Sequence, residues 1–244
     1  MIRFICIVIF LVLYLILSIP VFLVEWIIGK FSPEKKDYSS LRIVQWGFKV
    51  ILKMTGVSAT VIGEENIPDE PVLFIGNHRS FFDILLTYSR CKRLTGYVAK
   101  KEMEKIPLLS TWMRNLYCLF LDRDDIKAGL KTILQAIDYV NRGISICIFP
   151  EGTRNKGEEL SMLPFKDGAF KIATKTNCAI IPISLNNTSE IFEKHFPKIK
   201  KTHVVIEYGK PIYPDDLDKE EKKHIGTYVQ NIIQETINKN AGLV

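Results

Sequence analysis

The chain has 244 residues, 47% of them hydrophobic and 25% charged, and carries a formal net charge of +6. That is ample material for one α/β domain with an appendage. The modest positive charge fits phosphate head groups or acidic lipid surfaces, whereas interleaved acids and the lack of a recognition motif argue against nucleic acid. Cys6, Cys91, Cys118, Cys147 and Cys178 are scattered, odd in number and never paired as CxxC, so neither disulfides nor zinc is indicated.

Phe4 to Val24 contains no charge, and Glu25 is the only one before Lys30. Such a run is long enough to cross a bilayer, which needs about 20 apolar residues. It exceeds a signal-peptide core and no small-residue cleavage site follows it. Pro20 is expected to kink or divide the segment. Lys30, Lys35 and Lys36 after the run outweigh Arg3 before it, which predicts that the rest of the chain lies on the cytoplasmic side of the inner membrane. Ser39 to Thr55 reads as an amphipathic helix with Arg42, Gln45, Lys49 and Lys53 on one stripe. It suits either an interfacial helix with Trp46 at headgroup depth or a core helix with a solvated edge.

From Gly56 the pattern alternates. Strands are expected at 59–62, 72–75, 94–99, 116–121, 144–149, 180–185 and 203–208. Helices are expected at 82–89, 108–114, 126–141, 165–176 and 219–238. Helical lengths between strands predict an α/β fold, a mainly parallel mixed sheet of about seven strands covered by helices on both faces. The expected organisation is an N-terminal two-helix membrane anchor, residues 1–55, and a catalytic domain, residues 56–244. Pro182 inside a strand pattern suits an edge strand or a bulge.

Two polar turns follow apolar strands. Asn77-His78-Arg79-Ser80-Phe81-Phe82-Asp83 follows 72–75, and Phe149-Pro150-Glu151-Gly152-Thr153-Arg154 follows 144–148. Side chains at such turns lie on the carboxyl edge of a sheet, where α/β proteins put their chemistry. Asp83 is within reach of one His78 ring nitrogen, leaving the other to face a substrate. GxSxG, GxGxxG, GxxxxGK[ST] and HExxH are all absent.

The HxxxxD pattern of His78 and Asp83, followed by the FPEGTR block, resembles the glycerolipid acyltransferases. The likeness runs from about Val57 to Gly209, with secondary matches at 98–102, 120–123, 165–170 and 181–183. Within that family it is nearest to the enzymes that make phosphatidic acid.

The resemblance implies direct transfer from an acyl thioester to the free hydroxyl of a lysophosphatidic acid, with His78 as base and Asp83 as its orienter. No resident cofactor or metal is expected. Acyl-CoA or an acyl carrier protein would be the co-substrate, and membrane lipids the surroundings. Similar bacterial enzymes use two N-terminal helices to sit in one leaflet. Glu151, Gly152, Thr153 and Arg154 are the expected phosphate and glycerol contacts, with Lys100, Lys101 and Arg123 as further cations. Arg154 leads because a guanidinium grips phosphate through two parallel bonds. Ionic pairing with Asp122 or Asp125 competes for Arg123, and Lys166 suits a scaffold role. The resemblance makes 181–183 part of the acyl-donor or acyl-chain region. Glycerol-3-phosphate or another lysolipid is the rival acceptor, and a catalytically silent lipid-binding protein the rival class.

Overall fold

The computed structural model describes residues 1–244. Ile2–Phe31 is one helix, α1, and Pro33–Thr55 a second, α2, joined at Ser32. Pro20 lies inside α1 without dividing it. A proline forfeits one helical N–H, and the remaining ladder carries the helix through where neighbours pack against it. Pro33 opens α2 at its first turn, where a missing N–H costs nothing, and Gly56 closes it at φ +73.

Gln45 is a correction to the expected basic stripe. It is buried, and its Nε2 donates to the carbonyls of Tyr88 at 3.1 Å and Cys91 at 2.7 Å. The Tyr88 carbonyl ends a helix and also accepts the Cys91 N–H at 3.1 Å, and Cys91 lies three residues beyond that end, so Gln45 pins the exit of the helix to α2. The exposed stripe is instead Arg42, Trp46, Lys49 and Lys53.

The strands are β1 (Ser58–Ile62), β2 (Leu73–Gly76), β3 (Thr95–Lys100), β4 (Leu119–Leu121), β5 (Ser145–Ile148), β6 (Ile180–Asn186) and β7 (His203–Tyr208). They form one sheet in the order β1-β7-β6-β2-β5-β3-β4. Only β6 and β7 pair antiparallel. The mainly parallel sheet is therefore as expected. β4 is shorter than the sequence suggests because 109–115 and the turn after it absorb the preceding residues.

Helices after α2 are α3 (Phe82–Tyr88), α4 (Leu109–Asn115), α5 (Ile126–Asn141), α6 (Lys171–Thr176), α7 (Lys219–Lys223) and α8 (Ile225–Asn240). The expected helix at 165–176 begins as 3-10 turns at Asp167–Phe170, and 219–238 breaks at His224. Both sheet faces are covered. Phe74, Ile181 and Ile183 pack with α2 and α3 residues such as Leu41 and Leu86, while Leu73, Ile75 and Ile146 pack with Ile172, Val229 and Ile233. Alternate residues of β2 serve opposite faces, which is why its sequence is apolar throughout.

Pro182 corrects the edge-strand expectation, since β6 lies between β7 and β2. Its carbonyl accepts from Gly209 N–H, so its missing N–H also faces the β7 side. There the antiparallel pairing ends at Tyr208 and resumes only as a bridge from Ile180 to Ile212. A proline fits that irregular stretch without breaking a ladder.

α1 does not project from the domain. Phe4 stacks on Phe192 at 5.4 Å, the Trp112 indole N–H donates to Ser18 Oγ at 2.7 Å, and Asn115 donates to Glu25 at 3.3 Å. Those contacts span most of a helix about 45 Å long. The opposite face leaves Ile2, Ile9, Val12, Leu17, Leu23 and Trp26 exposed.

Candidate active site

β2 and β5 are parallel neighbours, with Leu73 opposite Ile146 and Ile75 opposite Ile148. That register brings their carboxyl ends level, so the two polar turns lie side by side.

The first turn folds around Asp83. Its carboxylate is fully buried, and Oδ2 accepts from His78 Nδ1 at 2.8 Å and from the backbone N–H groups of Arg79 at 2.7 Å and Ser80 at 2.8 Å. Because a carboxylate only accepts, His78 carries its proton on Nδ1 and leaves an Nε2 lone pair free of protein partners. The imidazole lies flat on Phe149, with ring centroids 4.5 Å apart and planes 18° apart. Phe149 belongs to the second motif, so the imidazole of one motif rests on the ring of the other.

Glu151 joins the motifs again. Its Oε1 accepts the His78 N–H at 2.6 Å and its Oε2 the Leu163 N–H at 2.8 Å. Burial pushes its carboxyl pKa up, and those two amide bonds partly oppose the shift. The sequence places Glu151 among the expected phosphate and glycerol contacts. Both its oxygens instead hold backbone, and it acts as a brace behind His78. Asn155 adds a second brace, donating its N–H to the His78 carbonyl at 2.7 Å.

Arg154 is half-buried. Its guanidinium lies 3.6 Å over the Phe81 ring, and Nη1 donates to Glu193 Oε1 at 3.1 Å. Gly152 turns at φ +74, and a Cβ built there would lie 3.2 Å from Lys166 Nζ. Any side chain at 152 is thus both strained and crowded. Thr153 is exposed.

The remaining cations divide. Lys100 pairs with Glu102 at 3.0 Å, and Lys101 with Asp122. Neither lines the cavity beside Gly152. Arg123 does, together with Lys166 and Lys171, in a space of about 480 Å³ walled by Phe149, Leu130 and Ile133. The expected competition for Arg123 is absent, because Asp122 is taken by Lys101 and Asp125 caps α5 through the N–H groups of Lys127 and Ala128. Lys166, expected as scaffold, lies closer to Gly152 than the lysines expected at the site.

Sequence reasoning missed three supports. Arg79 is buried, and its guanidinium donates to the carbonyls of Gly157, Glu158 and Ser161. It ties the first turn to the segment after the second motif. Asn77 exchanges two bonds with the Leu185 backbone. Glu193 binds both Arg154 and the first turn. Only the presence of Asn77 and Arg79 within the polar turn offered a signal.

The family model described as Acyltransferase matches residues 58–186, more than half of the chain. The 1-acyl-sn-glycerol-3-phosphate acyltransferase of Saccharomyces cerevisiae is 29% identical over 192 residues, covering 78% of this chain and 62% of that protein. The protein of the same name from Borreliella burgdorferi is 34% identical over 148 residues, 60% of this chain and 58% of its own. The matched stretch is thus less than two thirds of either relative's length. A probable enzyme of that name from Mycoplasma pneumoniae is 26% identical over 92% of this chain and 91% of its own. The crystal structure of the 1-acyl-sn-glycerophosphate (LPA) acyltransferase PlsC from Thermotoga maritima shares the fold at a TM-score of 0.73, with 24% identity, 97% of this chain and 98% of that one. With the family model spanning both motifs and strands β1 to β6, including the β2–β5 pair that brings the motifs together, the chain belongs to the acyltransferase family.

Proposed function

We propose that the protein transfers a fatty acyl group from an acyl thioester to the free hydroxyl of 1-acylglycerol-3-phosphate at a membrane surface, giving phosphatidic acid. The observation that carries the reading is His78 Nδ1 bonded to Asp83 at 2.8 Å, with Nε2 unpartnered at a sheet edge that also holds Arg154. The names of the relatives support the acceptor.

The chemistry follows from that geometry. His78 Nε2 takes the hydroxyl proton as the oxygen attacks the thioester carbonyl. The carbon–sulfur bond breaks, and the imidazolium returns the proton to the departing sulfur. Asp83 stabilises the imidazolium and keeps the tautomer. Holding an alcohol against a thioester supplies most of the rest, so no acyl-enzyme is required. The acceptor phosphate takes Arg154, with Gly152 permitting close backbone approach and Arg123 and Lys166 adding positive charge nearby. Thr153, Lys100 and Lys101 are peripheral to that reading.

Residues 1–55 serve as the membrane anchor of the 56–244 domain. α1 is long and apolar enough to cross a bilayer, yet its packing along the domain supports embedding in one leaflet, on the cytoplasmic face that its trailing lysines favour. The test is an assay of the purified protein with lysophosphatidic acid and with glycerol-3-phosphate, each with acyl-CoA and with acyl carrier protein. Transfer to lysophosphatidic acid from either donor is expected. Transfer to glycerol-3-phosphate alone, or to neither acceptor, overturns the reading.

A further inference from the structure

Glu193 belongs to neither motif. It opens a single 3-10 turn, Glu193–His195, in the connection between β6 and β7. Its Oε2 accepts the Ser80 hydroxyl at 2.7 Å, and its Oε1 accepts the Phe81 N–H at 2.8 Å and Arg154 Nη1 at 3.1 Å. One carboxylate thereby holds the loop that carries the base and the arginine of the other motif. Its own seat is fixed from outside the site. Phe192 and Phe196 flank it, their rings 5.4 Å apart, and both pack on Phe4 of α1.

An ordinary surface ion pair is worth little and fixes nothing. Two features separate this contact from one. Ser80 and Phe81 lie between His78 and Asp83, so the carboxylate acts on the turn that aims the imidazole. Glu193 also uses only Nη1, and Phe81 supports the guanidinium face. The Nε–Nη2 edge, which forks onto two oxygens, stays available.

We propose that Glu193 is a positioning residue for acyl transfer, presenting the Nε–Nη2 edge of Arg154 to the acceptor phosphate while fixing the loop that aims His78. The proposal rests on the function proposed above. It assigns two effects to one side chain: Arg154 presentation governs acceptor KM, and loop placement governs kcat. Glu193→Gln keeps an acceptor for the Phe81 N–H and Arg154, and its amide can donate to Ser80 Oγ. Glu193→Ala keeps none of these.

The experiment measures acceptor KM and kcat for the full-length enzyme with lysophosphatidic acid in detergent micelles. Glu193→Ala should raise acceptor KM about tenfold or more, the effect of losing a charge-assisted hydrogen bond, and should also lower kcat. Donor KM should not move. Glu193→Gln should recover most of both. In an Arg154→Ala background, Glu193→Ala should no longer affect KM but should still lower kcat. A KM effect that persists without Arg154, or an unchanged acceptor KM in Glu193→Ala, overturns the proposal. Calorimetric titration with glycerol-3-phosphate separates this from failure of the functional reading. Weaker binding in both Glu193→Ala and Arg154→Ala supports the positioning role even in an enzyme that does not turn over lysophosphatidic acid. Equal binding in wild type and Glu193→Ala overturns it.

Discussion

The backbone N–H of His78 donates to Oε1 of Glu151 at 2.6 Å, across a sequence separation of 73 residues. Through this bond the second motif sets the height of His78 above the sheet edge. Glu151→Gln is the direct test, because an amide presents only one acceptor where two backbone N–H groups converge. Its NH2 must face either His78 or Leu163, leaving two donors opposed. A kcat loss of about tenfold or more is expected, with acceptor KM changing less. Steady-state kinetics on the two parameters checks it.

The same substitution carries a pH signature. Burial raises the Glu151 carboxyl above its ordinary 4.5, so the native state holds that proton more tightly than the unfolded chain. The Glu151 contribution to stability is therefore greatest below the ordinary value and is lost as pH rises through the raised one. Wild type should lose stability relative to Glu151→Gln as pH rises from about 4.5 toward neutrality. Parallel Tm curves for the two proteins across that range would rule out the buried-charge account.

His78→Ala should lower kcat by about 10²–10⁴-fold, the usual worth of a general base, with the fold intact. Asp83→Asn should lose much of the rate as well, because its amide can bond the wrong ring tautomer. It also disturbs the Arg79 and Ser80 N–H groups that share Oδ2. Circular dichroism alongside kinetics checks both. His78→Ala activity within a few-fold of wild type would end the proposed mechanism.

These residues were legible in the sequence because their spacing is local. His78 and Asp83 are five residues apart, and a strand-to-helix turn over that distance allows few geometries. Glu193 was not legible: it meets Phe81 across 112 residues from a segment with no pattern of its own. Nor was the true role of Glu151, since neighbouring β2 and β5 had first to be known. The sheet itself was readable from apolar runs and helical spacings. Pro182 left an edge strand and a bulge both open, and the edge reading failed because its strand is interior and pairs irregularly on one side, a fact of tertiary structure. Gln45 misled in the same way, since its helical stripe gave no sign of carbonyls waiting at the end of α3.

Arg154→Lys keeps a charge but removes the planar fork, the Nη1 bond to Glu193 and the stacking on Phe81. Acceptor KM for lysophosphatidic acid should rise by about tenfold or more, as for loss of a bidentate charged contact. A monoacylglycerol acceptor, which lacks the phosphate, should be far less sensitive. Equal losses on both acceptors, measured side by side, would show that Arg154 supports the loop alone.

The last prediction concerns how α1 meets the bilayer. Its contacts with the domain begin at Phe4 and continue to Glu25, so the domain lies beside the helix along most of its length. A helix crossing the membrane would carry those domain contacts into hydrocarbon, where the loop around Phe192 and the polar end of α4 would meet lipid. Lying in one leaflet avoids this, with the exposed apolar face of α1 inward and Arg42, Lys49 and Lys53 toward head groups. The two ends of α1 should then face the same side of a sealed vesicle. Ile2→Cys and Phe31→Cys, each in a background with the exposed Cys6 replaced by Ser, report on those ends. Both should react with a membrane-impermeant maleimide added from the side of the catalytic domain, and neither from the other. High salt should not extract the protein, because apolar burial holds it. Labelling of the two cysteines from opposite sides would establish a span, and release by salt alone would rule out embedding.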